Sequence, residues 1–317
     1  MFPSRTSLIT ITVAGVMLAT ASAAQAAPTT LFAEPAPTRV AAWDGTVMWS
    51  HFDAATTSYA LMKSVGGGAP VPVAIAPRGG AAFDIDLGTD GDGATVAVYT
   101  RGGDIYRLDV ATGREAKVTK LSTPRIERDP TIQRGAIAFI RRSGDYDQLR
   151  IADGSKGSRL IVKRRTILSA ELGDRHIAYV ESGARGAGGV QTVHIRNLRS
   201  GADRTVYRAV SGGSNSARVT RPTYIAKPQG FLWARTNLGS GAGNRIVRYT
   251  LGDSKLAYAP GSVRYNTTAW ASETLGAVTA GSLDGSESRG ACSDRVGGPL
   301  AGYCDVVLSG PLQFKPE

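Results

Sequence analysis

The fold is decided by a stretch in the middle of the chain, Ile137-Ala138-Phe139-Ile140, and by the stretch Gln148-Leu149-Arg150-Ile151-Ala152-Asp153 that follows it. The first is a short apolar strand, and the second is a more polar strand that ends on Asp153, with Gly157 four positions later. The same pattern recurs at residues 96–99, 104–109 and 113, and at residues 177–180, 193–197 and 201. Asp and Asn side chains accept hydrogen bonds from nearby backbone amides, and Gly supplies a positive φ. Each copy therefore predicts two strands closed by the same kind of turn.

Weaker copies extend this repeat along the chain. The first strands of six units begin at residues 47, 96, 137, 177, 231 and 275, at intervals of 49, 41, 40, 54 and 44 residues. Four-stranded propeller blades repeat at about this spacing. A strand that is apolar on both faces, as 137–140 is, suits a blade packed between two neighbours. We therefore predict an all-β fold, a β-propeller of six blades with four antiparallel strands each. A β-sandwich is the alternative, but it does not account for six similar units.

Two segments resemble the D-G-x-x-I-A-F-x-S signature of TolB-like, WD40-like β-propeller repeats, namely residues 44–50 and residues 173–182. Residues 83–113 also resemble a blade of uncharacterised secreted actinobacterial proteins of this type. The Ser-Pro that precedes the family signature is missing from every unit, and so are the Gly-His and Trp-Asp dipeptides of true WD40 repeats. The resemblance implies a propeller fold, an exported location, and the binding of a protein or small ligand. It brings no catalytic residues with it.

The N-terminus has the features of a secretory signal peptide. Arg5 is followed by an uncharged apolar run over residues 8–18 and by Ala24-Gln25-Ala26, which matches an A-x-A cleavage pattern. The run is too short to span a bilayer, which takes about 20 residues. We expect a signal peptide at 1–26, a flexible lead-in at 27–37 and one propeller domain at 38–317. The protein is then secreted or held in the cell envelope, with no membrane span.

The chain is strongly basic, with a formal net charge of +11, of which only Arg5 lies in the predicted signal peptide. Such a charge attracts polyanions by a long-range field. The densest basic positions are Arg141, Arg142, Lys163, Arg164 and Arg165, and these are the candidate polyanion-binding residues. With no dense basic run, we expect an evenly spread charge and weak, salt-sensitive binding. Nucleic acid is not an expected partner.

The densest acidic stretch contains Asp84, Asp86, Asp90 and Asp92. Ca²⁺ is bound by several oxygen ligands from one loop, so these four residues are a candidate calcium site. The match to an EF-hand loop is poor, because Gly88 stands at its third ligand position. The alternative, which we favour, is a strand that runs into a Gly-rich turn stabilised by Asp90 and Asp92. We expect no cofactor.

Cys292 and Cys304 are the two cysteines of the chain, and an even count in an exported protein predicts a disulfide. The three histidines, His51, His176 and His194, are far apart in sequence, and we interpret them as strand residues rather than as metal ligands. Four tryptophans are expected to pack between blades, namely Trp43, Trp49, Trp233 and Trp270.

No motif for nucleophilic catalysis is found, since the chain has neither a G-x-S-x-G elbow nor a sialidase Asp-box. We therefore expect an exported propeller that acts as a binding or interaction scaffold for an extracellular protein, peptide or envelope polymer. The alternative is an extracellular hydrolase or lyase that acts on glycans or peptides at the channel mouth. Two carboxylates that converge there would favour the enzyme, because paired carboxylates cleave glycosidic bonds.

Overall fold

The computed structural model describes residues 29–34, 38–154, 157–183, 189–212, 215–226, 228–237, 245–260, 265–272, 276–284, 303–310 and 315–316. Within these ranges the chain forms strands, turns and loops, and no helix there is long and apolar enough to cross a membrane. The predicted signal peptide lies outside the described residues.

The strands follow one another along the whole described chain. They are β1 (Thr29–Glu34), β2 (Val40–Trp43), β3 (Thr46–Asp53), β4 (Ser58–Val65), β5 (Val71–Pro72), β6 (Arg78–Gly79), β7 (Asp86–Thr89), β8 (Thr95–Arg101), β9 (Asp104–Asp109), β10 (Glu115–Lys117), β11 (Glu127–Gln133), β12 (Ala136–Ser143), β13 (Tyr146–Asp153), β14 (Arg159–Arg164), β15 (Ile167–Leu172), β16 (His176–Ser182), β17 (Val190–Asn197), β18 (Asp203–Gly212), β19 (Asn215–Val219), β20 (Thr223–Ile225), β21 (Gly230–Asn237), β22 (Arg245–Thr250), β23 (Lys255–Pro260), β24 (Tyr265–Ser272), β25 (Gly276–Asp284), β26 (Tyr303–Gly310) and β27 (Lys315–Pro316).

These strands form antiparallel units arranged around a central channel. Blade 1 contains β2 to β6, blade 2 contains β7 to β10, blade 3 contains β11 to β14, blade 4 contains β15 to β18, blade 5 contains β20 to β23, and blade 6 contains β24 to β26 together with β1. The innermost strands β2, β7, β11, β15, β20 and β24 each contact the next one, and β24 contacts β2 again. This closed ring of inner strands confirms the predicted β-propeller.

The blades are less separate than the sequence predicted. Hydrogen bonding divides the strands into five sheets rather than six, because β19 pairs with both β18 and β21 and so joins blades 4 and 5 into one ten-stranded sheet. Blade 1 also has a fifth strand, since β6 pairs with β4 beside β5. The repeat pattern could not reveal this bridge, because β19 belongs to the connection between two units and not to the repeat.

The second strand of a blade contributes an uninterrupted run of buried apolar residues to the core. The central residues of β8, β12 and β16 are buried on both faces, as their uninterrupted apolar sequence requires. Between blades 2 and 3, for example, Val98 and Ile105 pack against Ile137 and Phe139. Each blade therefore depends on its neighbours for the burial of its own apolar residues.

The predicted turns are present where Asp109 and Asn197 lead into glycine. The side chain of Asp109 accepts a hydrogen bond from the Thr112 amide at 2.8 Å, and Gly113 has a φ of 71°. Asn197 is followed in the same way by Gly201, whose φ is 74°. In blade 3 the positive φ belongs to Gly154, not to the predicted Gly157.

The ring is closed by a strand from the N-terminal end of the chain. Strand β1 pairs with β26, as the outer strand of blade 6, so that Glu34 lies opposite Asp305. The side chain of Glu34 then reaches blade 1, where it accepts a 2.7 Å hydrogen bond from Trp49 Nε1 and lies 2.8 Å from His51 Nδ1. The closing strand comes from residues 27–37, which we expected to be a flexible lead-in to the domain.

Removal of β1 tests this closure. A chain that begins at residue 35 leaves the edge of β26 unpaired and deprives the buried Trp49 Nε1 of its acceptor, which by itself costs about 1–3 kcal/mol. We expect its melting temperature to be at least about 4 °C below that of a control chain that begins at residue 29, given about 2–4 °C per kcal/mol for a domain of this size. Equal melting temperatures of the two chains, measured by calorimetry, would show that β1 does not hold the ring.

Candidate functional site

The channel contains a buried cluster of charged side chains from four blades. The guanidinium of Arg221, just before β20, lies 3.3 Å from Glu171 Oε2, 3.5 Å from Asp129 Oδ1 and 3.7 Å from Asp86 Oδ1. It also donates hydrogen bonds to the backbone oxygens of Ile85, at 3.1 Å, and Pro130, at 3.0 Å. One cation thus neutralises carboxylates that blades 2, 3 and 4 supply. We call Arg221, Asp86, Asp129 and Glu171 the channel cluster.

The carboxylates of the channel also fasten each blade to the next. Each accepts a hydrogen bond from a backbone amide of the following inner strand, and the pairs are Asp84 with the Asp129 amide, Asp86 with the Ile132 amide, Asp129 with the Ala170 amide and Glu171 with the Tyr224 amide. These distances are 2.8–3.2 Å. Such bonds to charged acceptors are the stronger class of protein hydrogen bond. The acidic side chains are therefore engaged in structure.

Burial and neighbouring charge pull the pKa values of this cluster apart. Burial raises the pKa of Glu171 well above its usual value, and the nearby charge of Asp86 raises it further. The pKa of Asp86 is also raised by burial, which outweighs the effect of Arg221. Burial acts on Asp129 in the same direction, but Arg221 and Arg39 together outweigh it, so the pKa of Asp129 is lowered. Burial thus favours the protonated form of Glu171 and Asp86, whereas the arginines favour the ionised form of Asp129.

The free space next to the channel cluster is small. The cavity beside Arg221, Glu171 and Asp86 has a volume of about 20 Å³ and is closed by apolar residues of β2 and β7. A cavity of this size holds about one water molecule. The convergent carboxylates that would favour an enzyme are present, but they are buried and bonded to an arginine and to backbone amides. A substrate does not reach them through this cavity.

Three of the four residues of the candidate calcium site, Asp84, Asp86 and Asp90, have side chains that accept hydrogen bonds from different partners. Asp84 accepts hydrogen bonds from the amide and hydroxyl of Thr100, and Asp86 belongs to the channel cluster. Asp90 accepts bonds from the amides of Asp92 and Ala94 in its own turn, as the alternative interpretation expected. Among the described residues, no group of three His, Cys, Asp or Glu side chains could hold a metal ion. The cause is the strand geometry, which turns Asp84 and Asp86 inward and leaves Asp90 at the surface.

The five candidate polyanion-binding residues all belong to blade 3 and the connection that follows it. Strand pairing sets Arg142 opposite Asp147 and Asp147 opposite Arg164. Arg141 is buried and paired with Glu127 at 2.7 Å, so it is not available to a ligand. Lys163 and Arg165 are exposed and form no ion pair with any described residue. The sequence did not distinguish these roles, because the difference between Arg141 and Arg142 is which side of β12 each faces.

Exposed apolar side chains lie next to these basic residues, and the sequence analysis did not single them out. Ile126 is 65% exposed, Tyr146 is 40% exposed and Leu168 is 37% exposed. Their positions in the predicted strands could have identified them, because each lies at or next to the start of a strand. These strand starts lie at the end of the sheet where the second strand of a blade turns into the third. We call this end of the propeller the hairpin face.

The remaining predicted residues are scattered. Cys292 lies outside the described residues and Cys304 lies in β26, so the disulfide stays a prediction. His51 contacts Glu34, His176 lies 3.1 Å from the Asn197 side chain, and the ring of His194 stacks on a tyrosine. The three histidines therefore do not converge. Trp49 and Trp233 are buried, as expected of residues that pack between blades.

Comparison with known proteins agrees with this architecture. No protein-family model matches the chain, and no curated protein sequence matches it. Similar solved structures include an oligogalacturonate lyase in complex with manganese, with a TM-score of 0.53, 12% identity, and coverage of 84% of this chain and 86% of that one. A puromycin hydrolase gives a TM-score of 0.50 and 14% identity, over 77% of this chain and 50% of the hydrolase. TolB from Acinetobacter baumannii gives 0.48 and 13%, over 89% of this chain and 58% of TolB.

These similarities show the fold and nothing finer. At 12–14% identity, the matches to the lyase and the hydrolase support a β-propeller fold. They transfer no residue role and no ligand to this chain.

Replacement of Arg221 tests the channel cluster. In Arg221→Met, the carboxylates of three blades lose their shared cation, and breaking a buried ion pair in this way costs about 3–5 kcal/mol. The control is Arg218→Met, an exposed arginine on β19 whose loss should change stability by no more than about 0.5 kcal/mol. Urea denaturation measures both. Equal stabilities for the two variants would mean that the cluster does not hold the blades together.

The pH dependence of stability tests the protonation of Glu171. Because its pKa is raised in the folded protein, the stability that it contributes is fully present below its ordinary value of 4.5 and is lost as pH rises toward the folded pKa. Glu171→Gln keeps the shape but cannot titrate. We expect its free energy of unfolding to fall less steeply than that of the wild type from pH 4.5 upward. Asp86 and Glu34, whose pKa values burial also raises, contribute to the slope that remains. Parallel curves would exclude a raised pKa.

Proposed function

We propose that this protein is an exported binding scaffold, and that the hairpin face of blade 3 docks an acidic protein segment that also carries apolar side chains. The observation behind this proposal is the juxtaposition of three exposed apolar residues with three basic residues, of which Lys163 and Arg165 form no ion pair with any described residue. We call the residues Ile126, Tyr146, Leu168, Arg142, Lys163 and Arg165 the blade-3 surface. Export is supported by the features of residues 1–26, which match a signal peptide.

Contacts within the blade-3 surface show that its members lie side by side. The amide of Arg142 donates to the Ile126 oxygen at 3.3 Å, and its guanidinium donates to the Arg165 oxygen at 3.1 Å. The ammonium of Lys163 lies 4.5 Å from the centre of the Tyr146 ring. Arg128 links Leu168 to the hairpin of blade 3, because its guanidinium donates to the Leu168 oxygen at 3.3 Å and to Asp147 at 2.9 Å. Basic and apolar groups thus share one continuous area.

The charge of this area favours an acidic partner. Asp147 is shared by Arg128 and Arg142, and Asp145 is the acidic residue at the tip of the hairpin. Four cations lie in this area, against these two carboxylates. They are Arg128, Arg142, Lys163 and Arg165. Opposite charge speeds association and fixes the orientation of a partner.

The apolar members decide between a protein and a polymer. Aromatic side chains and arginine are enriched at protein interfaces, and exposed apolar residues gathered in one area mark such sites. An anionic envelope polymer would bind the basic residues but would offer few apolar groups to contact Ile126 and Leu168. We therefore place a protein partner first and treat the polymer as an outcome of the test.

The channel carboxylates argue against the enzyme alternative. Propellers of similar fold include both TolB and two enzymes, so the fold leaves both functions open. In this chain, however, Asp86, Asp129 and Glu171 are occupied by Arg221 and by backbone amides, and the cavity beside them holds about one water.

The test compares paired variants of the immobilised protein in capture from the producing organism's secreted and envelope fractions. We expect one acidic protein whose binding falls at least about tenfold in Ile126→Ser/Tyr146→Ser and in Lys163→Gln/Arg165→Gln, the loss of about 1.4 kcal/mol that one important contact supplies. The control is Val65→Ser/Val71→Ser, two apolar residues of similar exposure, 58% and 45%, at the opposite end of blade 1. Binding should also weaken as salt is raised.

Two results would contradict the proposal. Capture that is equal in all variants would place the interaction elsewhere on the propeller. A captured species that resists protease and is lost only in Lys163→Gln/Arg165→Gln would identify an anionic polymer as the partner instead.

A further inference from the structure

We propose a second site, in the outer cleft between blades 2 and 3, that binds a small organic anion with an apolar body. The cleft holds a cavity of about 310 Å³. Pockets for small ligands range from about 300 to 1,000 Å³. The cavity is therefore large enough for one small molecule, in contrast to the space of one water in the channel.

The floor of the cavity is apolar and comes from the packed core between the two blades. Blade 2 contributes Val118 and Leu121, and blade 3 contributes Ile137 and Ala152. Three of these side chains are at least 90% buried, with exposures of 3% for Leu121, 7% for Ile137 and 6% for Ala152. A ligand that enters the cleft meets a rigid apolar surface.

The rim of the cavity is basic. Arg107, Lys117 and Lys120 line it, and none of the described residues that line it is acidic. Asp90 lies 2.8 Å from Arg107 and Asp104 lies 2.6 Å from Lys117, but neither carboxylate belongs to the lining. Lys120 lines the same rim at an exposed position. An anionic head group is the chemistry that complements this rim.

The cleft exists because the outer strand of blade 2 is short. Strand β10 has three residues, whereas the outer strands β14 and β18 have six and ten. After Lys117 the chain turns away, and the amide of Leu121 bonds to the Val118 oxygen at 3.0 Å. On the other wall, Gly154 has no side chain and a φ of 74°. A longer β10 would cover the floor that the cavity leaves open.

Fluorescence of 8-anilinonaphthalene-1-sulfonate tests this site, because the probe combines an aryl body with one negative charge. Its matched control probe is N-phenyl-1-naphthylamine, which lacks the sulfonate. We expect one molecule of the anionic probe to bind per chain, at least about tenfold more tightly than the neutral probe. Lys120→Ala should weaken the anionic probe at least about threefold and leave the neutral probe unchanged.

Two variants locate the binding in the cleft. Ala116→Trp places a large ring in the cavity from an exposed position on β10, and it should abolish binding of both probes while the protein remains folded. Lys255→Ala removes an exposed lysine on blade 5 and should change neither affinity. Equal affinity for the two probes, or unchanged binding in Ala116→Trp, would overturn the proposal. The blade-3 surface contains none of these residues, so failure here leaves the proposed function standing.

Discussion

The ion pairs between Arg221 and the channel carboxylates hold the blades of the propeller together. Arg221 neutralises carboxylates from three blades, beside a cavity of about 20 Å³. A buried carboxylate without a partner is costly, so these blades are stable only when they meet around the same cation. The same carboxylates accept hydrogen bonds from backbone amides of the next inner strand. These bonds fix which inner strands are neighbours. Closure by β1 then completes the ring.

This use of the channel shapes what the protein can do. The acidic groups of the channel cluster are bonded to Arg221 and to backbone amides, so they hold the blades together. The sites that remain available lie further out, where blades diverge or where their hairpins end. The blade-3 surface offers charge and apolar area to a large partner, and the cleft beside β10 offers enclosure to a small one. One scaffold thus presents two chemically distinct surfaces.

The propeller could be predicted from short sequence patterns. The apolar runs around Ile137 and Ile177 and the turns at Asp109 and Asn197 each lie within one repeat. The channel cluster could not be predicted in the same way. Asp86, Glu171 and Arg221 are separated by whole blades, and only closure of the ring brings them together. The burial of Arg141 could not be predicted either. The sequence around Arg141 gives no sign that the residue is buried, but its position on β12 places it against Glu127.

Hydrogen exchange of the protein alone and with its captured partner distinguishes binding at the blade-3 surface from binding in the channel, because it reports on both regions at once. The account predicts new protection at residues 125–128, 142–147 and 163–168, with the inner strands already protected and unchanged. Protection that appears instead at the inner strands around Asp86, Asp129 and Glu171 would show that the ligand enters the channel, and it would contradict the claim that these carboxylates serve only to hold the ring.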